Sequence, residues 1–314
     1  MLPALVLTAG LGTRLDPITR LVAKAAVPLA GKTLIERSLE RLAAQGVTDA
    51  VLNLHYRPAS ITSVVGDGAA LGMRVRYSWE SVILGSAGGP RRALPLLDAR
   101  RFLIVNGDTL CDIDLVDMIR DHESSGADVS MAVVRNPAPD HYNGIAIDQD
   151  RRVTAFVPKG QAADTWHFIG VQVAEASVFA GLEDGVPAET VLGIYRQRVA
   201  AGSNSIRCYC VDLPFVDVGT PRDYVAAALA LASPRSANAV EAGAMIHPTA
   251  RVSGSVVWSG ATIGAGAVVE DCVVTNVAIP PGFQARSVVM IPASVARPDD
   301  AAVAGDVATF ALKR

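Results

Sequence analysis

Residues 4–36 read ALVLTAGLGTRLDPITRLVAKAAVPLAGKTLIE, an apolar run that passes through a glycine-rich turn into a longer amphipathic stretch. The run predicts the first strand of an α/β sheet. Backbone N–H groups of the turn, residues 7–15, can converge on a phosphate at the start of the helical region that follows. A dinucleotide fingerprint is excluded, because Leu15 stands where G-x-G-x-x-G requires its third glycine. The turn therefore indicates a phosphate loop, with a plain strand-to-helix turn as the alternative.

The length and charge of the chain narrow the classes of protein to which it can belong. Its 314 residues correspond to about two domains of roughly 150 residues each. Half of the residues (50%) are apolar and 19% are charged, so the chain can bury a sizeable core and is not mainly disordered. Lys and Arg number 28 against 31 Asp and Glu. This balance leaves no basic surplus for a phosphate backbone, and we expect no nucleic-acid partner.

The cysteine pattern and the hydropathy pattern predict a cytoplasmic protein. The four cysteines show neither the spacing of a zinc site nor the density of a disulfide framework, and we interpret them as buried thiols in a reducing compartment. The apolar start of the chain lacks the basic region of a signal peptide. Since no apolar run approaches the roughly 20 residues of a membrane span, we expect no membrane association.

The first three quarters of the chain alternate short apolar runs with amphipathic stretches, which is typical of βαβ units in a mostly parallel sheet. Strands are predicted for ALVLTA, AVLNLH, MRVRYSW, RFLIVNGD, DVSMAVV and FIGVQV. Helices are predicted over 33–46, 115–126 and 221–234. We therefore predict a Rossmann-like α/β domain over 1–233, followed by a linker over 234–244.

Beyond the linker the hydrophobic period changes to five or six residues. Large apolar residues recur with small residues between them: Ile246, Val252, Trp258, Ile263 and Val269. This period is typical of hexapeptide repeats, and we predict a short left-handed β-helix over 245–298 and a C-terminal tail over 299–314. Only about two coils fit between residues 246 and 283. A pair of surface β-hairpins is the alternative, and we expect the β-helix to support a homo-oligomer or to pack on the first domain.

Residues 10–36 resemble the signature of the sugar-1-phosphate nucleotidyltransferases, approximately GxGTRLxPxTxxxxKPxxPxxxKPxIE. Arg14 and Lys24 fall on its two cationic positions. The resemblance implies that both are catalytic residues that lie along the phosphates and stabilise charge on the leaving pyrophosphate. It also implies nucleotide binding by Leu7, Ala9, Gly10, Gly12 and Thr13. Alanines stand at positions 23 and 25, where the family usually has prolines beside the lysine.

Three further segments resemble the same family. FLIVNGDTLCDIDL at 102–115 and PFVDVGTPRDYVAA at 214–227 match the two segments that deliver magnesium-binding aspartates. The resemblance implies that Asp108 and Asp217 bind Mg²⁺, which takes one or two carboxylates and completes its shell with phosphate oxygens and water. ILGSAGGP at 83–90 is similar to the loop that borders the nucleotide base, which implies nucleotide binding by Gly85 and Gly88. A plain glycine turn is the alternative there, and Asp112 and Asp114 are interpreted as ordinary loop acids.

The segments similar to the family's sugar-binding strands carry substitutions. VTAFVPKG keeps the family's lysine as Lys159, but Pro158 replaces its glutamate. FIGVQV keeps the glycine as Gly170, but Phe168 replaces an asparagine. YNGIAID resembles a further sugar-contacting strand, which makes Gly144, Lys159 and Gly170 the implied substrate-binding residues. The two replacements leave the identity of the sugar open, and His167 is interpreted as a packing or surface histidine.

The resemblance spans residues 4–231 and implies transfer of a nucleotidyl group from an NTP to a sugar 1-phosphate with Mg²⁺. NLHY at 53–56 resembles the branch of mannose-1-phosphate guanylyltransferases and N-acetylmuramate-1-phosphate uridylyltransferases. GTP with a mannose- or heptose-type 1-phosphate is slightly favoured, and UTP-dependent uridylyl transfer is the alternative. Two rivals come from other classes: a non-catalytic regulatory homologue that senses nucleotide sugars, and an acyltransferase that uses His247 of the β-helix as its base.

Overall fold

The computed structural model describes residues 1–203, 205–232, 236–297 and 302–312. The chain forms two compact units. The first consists of Met1–Gly10, Ser38–Pro58 and Val65–Val216, and the second of Leu11–Arg37, Ala59–Val64 and Asp217–Arg314. The domain boundary predicted at 233 and 234 and the β-helix end predicted at 298 lie outside the described residues. The second unit joins Leu11–Arg37, which we call the signature segment, to the C-terminal region. Sequence periodicity does not indicate this association.

The first unit is built around a mixed α/β sheet. Its strands are β1 (Ala4–Leu7), β2 (Asp49–Leu54), β3 (Arg74–Trp79), β4 (Arg101–Asn106), β5 (Thr109–Cys111), β6 (Val129–Arg135), β7 (Gly144–Ile147), β8 (Val153–Val157), β9 (Trp166–Glu175), β10 (Ile206–Cys210) and β11 (Phe215–Asp217). The main sheet has the order β10-β6-β9-β4-β1-β2-β3. Its neighbours pair in parallel except where β9 runs antiparallel between β4 and β6. All six predicted strands are confirmed, and the parallel α/β core is the predicted fold class.

Smaller strands complete the first unit. β7 and β8 form an antiparallel hairpin beside β9, and β5 pairs with β11, whose first two residues end this unit and whose last residue, Asp217, is counted with the second. The central strands are apolar because they are covered on both faces, and Leu5, Phe102 and Ile104 are fully buried in one core cluster. Polar side chains therefore first appear at the ends of these central strands, and we expect the functional groups there.

The helices agree with the three predicted stretches and add others. They are α1 (Leu34–Ala44), α2 (Pro58–Val65), α3 (Gly85–Leu97), α4 (Leu115–Ser125), α5 (Ser177–Ala180), α6 (Arg196–Ala200) and α7 (Pro221–Leu231). α3 packs against β1, β2 and β3, and α4 against β6, β9 and β10. Asp114, predicted as a loop acid, caps α4 by accepting a hydrogen bond from the Asp117 N–H at 2.9 Å. Asp112 pairs with Arg41 at 2.7 Å.

Two expectations about the glycine-rich segments are corrected. The helical region expected after the first turn consists of three short 3-10 turns, Thr13–Leu15, Ile18–Arg20 and Lys24–Ala26. A regular helix is interrupted there because Pro17 has no N–H to donate. The segment at 83–90 is not a loop, since α3 begins at Gly85.

The C-terminal region is a β-helix of short strands. They are β12 (Ala239–Val240), β13 (Met245–Ile246), β14 (Arg251–Ser253), β15 (Val256–Val257), β16 (Thr262–Ile263), β17 (Val268–Glu270), β18 (Val273–Val274), β19 (Ala278–Ile279), β20 (Gln284–Arg286), β21 (Val288–Pro292), β22 (Ala302–Ala304) and β23 (Val307–Ala311). Three parallel sheets result, with the orders β12-β15-β18-β21, β13-β16-β19 and β14-β17-β20. Val256, Val269 and Val274 are fully buried inside the coils.

The number of coils differs from the expectation of about two. Three complete coils lie among the described residues, because β12 already opens the first coil within the predicted linker and β20 closes the third beyond residue 283. The hydrophobic period missed β12 because the residue that it buries is the small Ala239, while Val240 is exposed. β23 pairs antiparallel with β21 and covers its outer edge, and β22 pairs with β23. None of the helices in the described part of the chain is long and apolar enough to cross a membrane.

Candidate active site

The carboxyl ends of β1 and β4 lie side by side in the first unit. Leu7 is the register partner of Asn106, and the Gly107 N–H donates a hydrogen bond to the Leu7 carbonyl oxygen at 3.0 Å. A Cβ on Gly107 would lie 2.7 Å from that oxygen, so only glycine permits this approach. The half-buried Asp108 follows directly. The structure thus places the predicted metal ligand at the sheet edge where open α/β sheets bind their ligands.

The predicted loop residues divide between the two units. Leu7 ends β1 and Ala9 and Gly10 follow it in the first unit, while Gly12 and Thr13 lie near the start of the second. Gly10 is exposed, and a Cβ placed on it would meet no atom within 4 Å. Thr13 is exposed at the start of its 3-10 turn. The turn after β1 therefore borders open space into which a ligand can approach.

Gly170, in the middle of β9, lies beside the end of β4 that Asp108 follows. Its φ angle is +80°, a backbone conformation that favours glycine. A Cβ on Gly170 would lie 3.0 Å from the Asn106 Cβ and 3.1 Å from the Thr109 Oγ1. The antiparallel register of β9 against β4 therefore brings together two predicted site residues that are 62 positions apart in the sequence.

Gly144 and Lys159 lie together at the β7–β8 hairpin. The Lys159 N–H donates a hydrogen bond to the Asn143 Oδ1 at 3.1 Å, and the Lys159 side chain is exposed. Gly144 is buried, and a Cβ there would overlap the Thr165 side chain. Since Gly144 opens β7, Lys159 projects from the backbone beside it. The hairpin joins β9 through the pair of Ile145 and Trp166.

An aromatic group that sequence reasoning missed adjoins this hairpin. The Tyr142 and His167 rings lie 4.2 Å apart between centroids, and the His167 and Phe215 rings 5.3 Å apart. Burial lowers the pKa of His167, which favours a neutral imidazole at pH 7. The stacking agrees with the interpretation of His167 as a packing histidine, and the structure adds that it packs beside predicted substrate-binding residues. The aromatic residues next to Gly144 and Gly170, in the stretches YNG and WHFIG, were the signal available in the sequence.

A buried polar chain supports the first turn. The Thr8 N–H donates to the Asn53 Oδ1 at 2.6 Å, and the Asn53 Nδ2 donates to the Glu80 Oε1 at 2.7 Å. The second Glu80 oxygen accepts from the Leu84 N–H at 2.8 Å. Asn53 is 3% exposed and Glu80 is fully buried. This network fixes the turn after β1 to the start of α3, and its signal in the sequence was Asn53 within the apolar β2 and Glu80 directly after β3.

The glycines of α3 permit close packing. The N–H groups of Ala87 and Gly88 both donate to the Ala188 carbonyl oxygen, at 2.8 and 3.1 Å. A Cβ on Gly88 would lie 2.7 Å from the Val186 carbonyl oxygen, and one on Gly85 would lie 2.6 Å from the Ala188 oxygen. Both glycines are therefore required by the neighbouring backbone. Their contact with a nucleotide stays a prediction.

The cationic residues and Asp217 lie in the second unit. A Cβ on Gly12 would lie 3.0 Å from the Lys24 Cβ, so the turn folds closely over Lys24. A Cβ on Gly219 would lie 3.3 Å from the Arg14 Nη1 and 3.5 Å from the Asp217 Oδ2. Arg14 and Asp217 therefore approach the same glycine, although 203 positions separate them in the sequence. Arg14 is exposed and Lys24 is half-buried.

Comparison with known proteins identifies relatives of this chain. A model of the nucleotidyl transferase family matches residues 3–233. The mannose-1-phosphate guanylyltransferase of Mycobacterium tuberculosis is 32% identical over 283 residues, which cover 86% of this chain and 79% of that protein. The N-acetylmuramate alpha-1-phosphate uridylyltransferase of Neisseria meningitidis serogroup B is 33% identical over 223 residues, covering 69% and 93%.

A solved structure shares the architecture. The crystal structure of HddC from Yersinia pseudotuberculosis matches with a TM-score of 0.64 and 25% identity, over 73% of this chain and 98% of that one. The same protein complexed with GMP-PN matches with a TM-score of 0.63, with the same identity and coverage. The likeness extends over nearly the whole of HddC.

The buried Glu80 gives a first testable prediction. Glu80→Ala leaves the Asn53 amide and the Leu84 N–H without their acceptor, and each buried donor left unpaired costs roughly 1–3 kcal/mol. We expect the free energy of unfolding in urea, followed by circular dichroism, to fall by about 2–4 kcal/mol. The control Glu183→Ala, at an exposed position of the same unit, should change it by less than about 0.5 kcal/mol. Equal losses in the two variants would contradict the assignment.

Proposed function

The chain belongs to the nucleotidyl transferase family, and we propose that it transfers a guanylyl group from GTP to a mannose- or heptose-type sugar 1-phosphate. The observation that carries the reaction class is the family match over residues 3–233, and the approach of the Arg14 guanidinium and the Asp217 carboxylate to Gly219 supports it. Support for guanine comes from the guanylyltransferase of M. tuberculosis and from the HddC complex with GMP-PN. Uridylyl transfer from UTP is the alternative, since the N. meningitidis relative is a uridylyltransferase.

The proposed reaction is an in-line displacement at phosphorus. An oxygen of the sugar 1-phosphate attacks the α-phosphorus of the NTP, the bond to the bridging oxygen breaks, and pyrophosphate leaves. A general base is not required, because a phosphate monoester with a second pKa of about 6 is mostly dianionic at neutral pH. The protein then contributes positioning and charge neutralisation.

Three cationic side chains are assigned to different phosphates of the two substrates. We assign Arg14 to the β- and γ-phosphates, where negative charge grows as pyrophosphate departs, and Lys24 to the phosphate chain beneath Gly12. Lys159, exposed beside Gly144, is assigned to the phosphate of the sugar. Residues 7–13 with Gly85 and Gly88 are assigned to the nucleotide, and Gly170 to the sugar.

The donor chemistry of this chain fits a magnesium ion that is shared with the substrate. Within the described ranges, no group of three or more His, Cys, Asp or Glu side chains could hold a metal. Mg²⁺ needs only one or two carboxylates when phosphate oxygens and water complete its shell. We propose Asp108 and Asp217 as its ligands, on the strength of the family resemblance. When bound, the ion would neutralise phosphate charge.

The acceptor sugar is proposed to lie against the aromatic group of Tyr142, His167 and Phe215. Tyr142 and Asn143 directly precede Gly144, and the Asn143 carbonyl oxygen lies 3.4 Å from the His167 Nδ1. Ring faces offer apolar surface to the C–H face of a sugar, while a neutral imidazole still offers a hydrogen bond to a hydroxyl. Tyr142 and His167 lie in or beside the segments similar to the family's sugar-binding strands, in which Pro158 and Phe168 replace two polar side chains of the family pattern.

Several broader expectations remain proposals. We propose a cytoplasmic protein, hexapeptide repeats of left-handed sense in the β-helix, and self-association through that β-helix. A regulatory homologue that binds nucleotide sugars without turnover is the alternative of another class. His247, the base of the rival acyltransferase, hydrogen-bonds the neighbouring Thr249 hydroxyl at 2.9 Å within a turn of the coil.

A screen of pyrophosphate release would test the proposed reaction. The four common NTPs are paired with sugar 1-phosphates that include mannose, heptose, glucose and N-acetylmuramate derivatives. We expect the highest kcat/KM for GTP with a mannose- or heptose-type acceptor. A preference for UTP would establish the alternative, and tight NTP binding without release from any pair would establish the regulatory homologue.

The two aspartates give the second test of this proposal. Asp108→Asn and Asp217→Asn keep shape but remove one charge each, and we expect kcat with Mg²⁺ to fall by about 100-fold or more. The control Asp112→Asn removes an exposed acid that only pairs with Arg41 at the surface, and kcat should stay within about twofold. Near wild-type turnover of both Asp108→Asn and Asp217→Asn would refute the metal assignment.

The aromatic group gives the third. Tyr142→Ala should raise KM for the sugar 1-phosphate about tenfold, since loss of an aromatic contact costs roughly 1 kcal/mol or more, and should leave KM for the NTP unchanged. Tyr142→Phe keeps the ring and should keep most of the affinity. Tyr77→Ala, on the edge strand β3, is the matched control. An effect of Tyr142→Ala on the NTP alone would move this residue to the nucleotide.

A further inference from the structure

We infer that the C-terminal β-helix and its last strand position the segment Leu11–Arg37 for the reaction, through Glu241, Trp258 and Phe310. This inference rests on the proposed function, because that segment carries Arg14 and Lys24. All of the contacts involved lie within the second unit. None of the three side chains is placed against substrate, so they are positioning residues.

Glu241 and Trp258 hold the turn that follows Lys24. The Glu241 carboxylate, 8% exposed after β12, accepts the Gly31 N–H at 2.9 and 3.2 Å. The Trp258 Nε1 after β15 donates to the Tyr224 hydroxyl at 2.8 Å, and that hydroxyl donates to the Pro28 carbonyl oxygen at 2.6 Å. Two coils of the β-helix thus fix both sides of the turn at 28–31, four to seven residues beyond Lys24.

Phe310 of β23 holds the part of the segment that follows Arg14. The Arg20 guanidinium lies 4.9 Å from the centre of the Phe310 ring, in cation–π geometry. The same guanidinium donates two hydrogen bonds to the Asp16 carboxylate, from Nε at 2.8 Å and from Nη2 at 2.6 Å. Since Arg20 is only 7% exposed, solvent screens these interactions weakly. Asp16 stands two residues after Arg14, so the ring of Phe310 fixes the backbone from which Arg14 projects.

The segment needs such support because its own secondary structure is weak. Between residues 11 and 33 it forms three 3-10 turns of three residues each, and such turns are poor in hydrogen bonds. Ala23 and Ala25 occupy the positions at which the family pattern has prolines beside the lysine, so less of the backbone is fixed covalently. The β-helix supplies from outside the rigidity that these two alanines do not.

Catalysis by positioning is sensitive to small displacements of a charged group, and a shift of about 1 Å can cost about 100-fold in rate. Loss of the Phe310 ring frees Arg20 to move, and Asp16 moves with it. The expected signature is a lower kcat with little change in KM for the sugar 1-phosphate, because Lys159 and the acceptor residues belong to the first unit.

The experiment compares Phe310→Leu and Trp258→Phe with a control that weakens the buried interior of the coil. Phe310→Leu removes the ring face, and Trp258→Phe removes the indole N–H that reaches Tyr224 while keeping an aromatic ring. Val274→Ala deletes two methyl groups from the fully buried interior of the coil, and Val274 is a core residue packed with other coil residues. Phe310→Tyr keeps the ring face and is the conservative rescue.

We expect Phe310→Leu and Trp258→Phe to lower kcat about tenfold or more and to accelerate amide hydrogen exchange across residues 11–37. Val274→Ala should lower the melting temperature without either effect, and Phe310→Tyr should behave as wild type. Unchanged exchange and unchanged kcat in Phe310→Leu, or an equal fall of kcat in Val274→Ala, would overturn the inference. Hydrogen exchange needs no turnover, so it still decides the inference if the wild-type protein releases no pyrophosphate and the proposed function fails.

Discussion

The buried hydroxyl of Tyr224 joins three parts of the second unit that lie far apart in the sequence. It accepts a hydrogen bond from the indole of Trp258 in the β-helix and donates one to the Pro28 carbonyl oxygen in the signature segment, while its own residue belongs to α7. Burial raises the pKa of Tyr224, so the proton that it donates to Pro28 is retained at any physiological pH. A fully buried hydroxyl with both of its roles satisfied is costly to disturb. The signature segment, α7 and the coil therefore pack together around one buried hydroxyl.

The β-helix and α7 supply hydrogen-bond partners for backbone groups of the signature segment. A segment made of short 3-10 turns pairs only part of its backbone groups internally, and others find partners on neighbouring elements. Gly31 donates to Glu241, Pro28 accepts from Tyr224, and Arg37 donates to the Leu29 carbonyl oxygen at 2.7 Å. The coil provides a rigid surface because its strands stack in register at intervals of 16 or 17 residues.

In the first unit, polar groups must reach the end of an apolar sheet without being left unpaired. Glycines at 107 and 170 let neighbouring strands approach closely where Asp108 emerges. Asn53 and Glu80 carry hydrogen bonds from the first turn to α3 through the interior. On the proposed acceptor side, Pro158 and Phe168 replace two polar side chains of the family pattern, and we propose that the rings of Tyr142 and His167 contact the sugar instead.

The sequence by itself determined the class of fold, because apolar runs of four to seven residues separated by amphipathic stretches admit few arrangements, and the six strands that it predicted are present. It also determined the family, since Arg14, Lys24, Asp108 and Asp217 stand in motifs whose spacing is local. The tertiary structure alone decided that α3 begins where a glycine loop was expected, that His167 stacks with Tyr142, and that the β-helix has three coils within the described residues. It alone placed Phe310 over Arg20. These features depend on residues that are distant in the chain and meet only through strand register and side-chain packing, and hydrophobic periodicity carries no information about either.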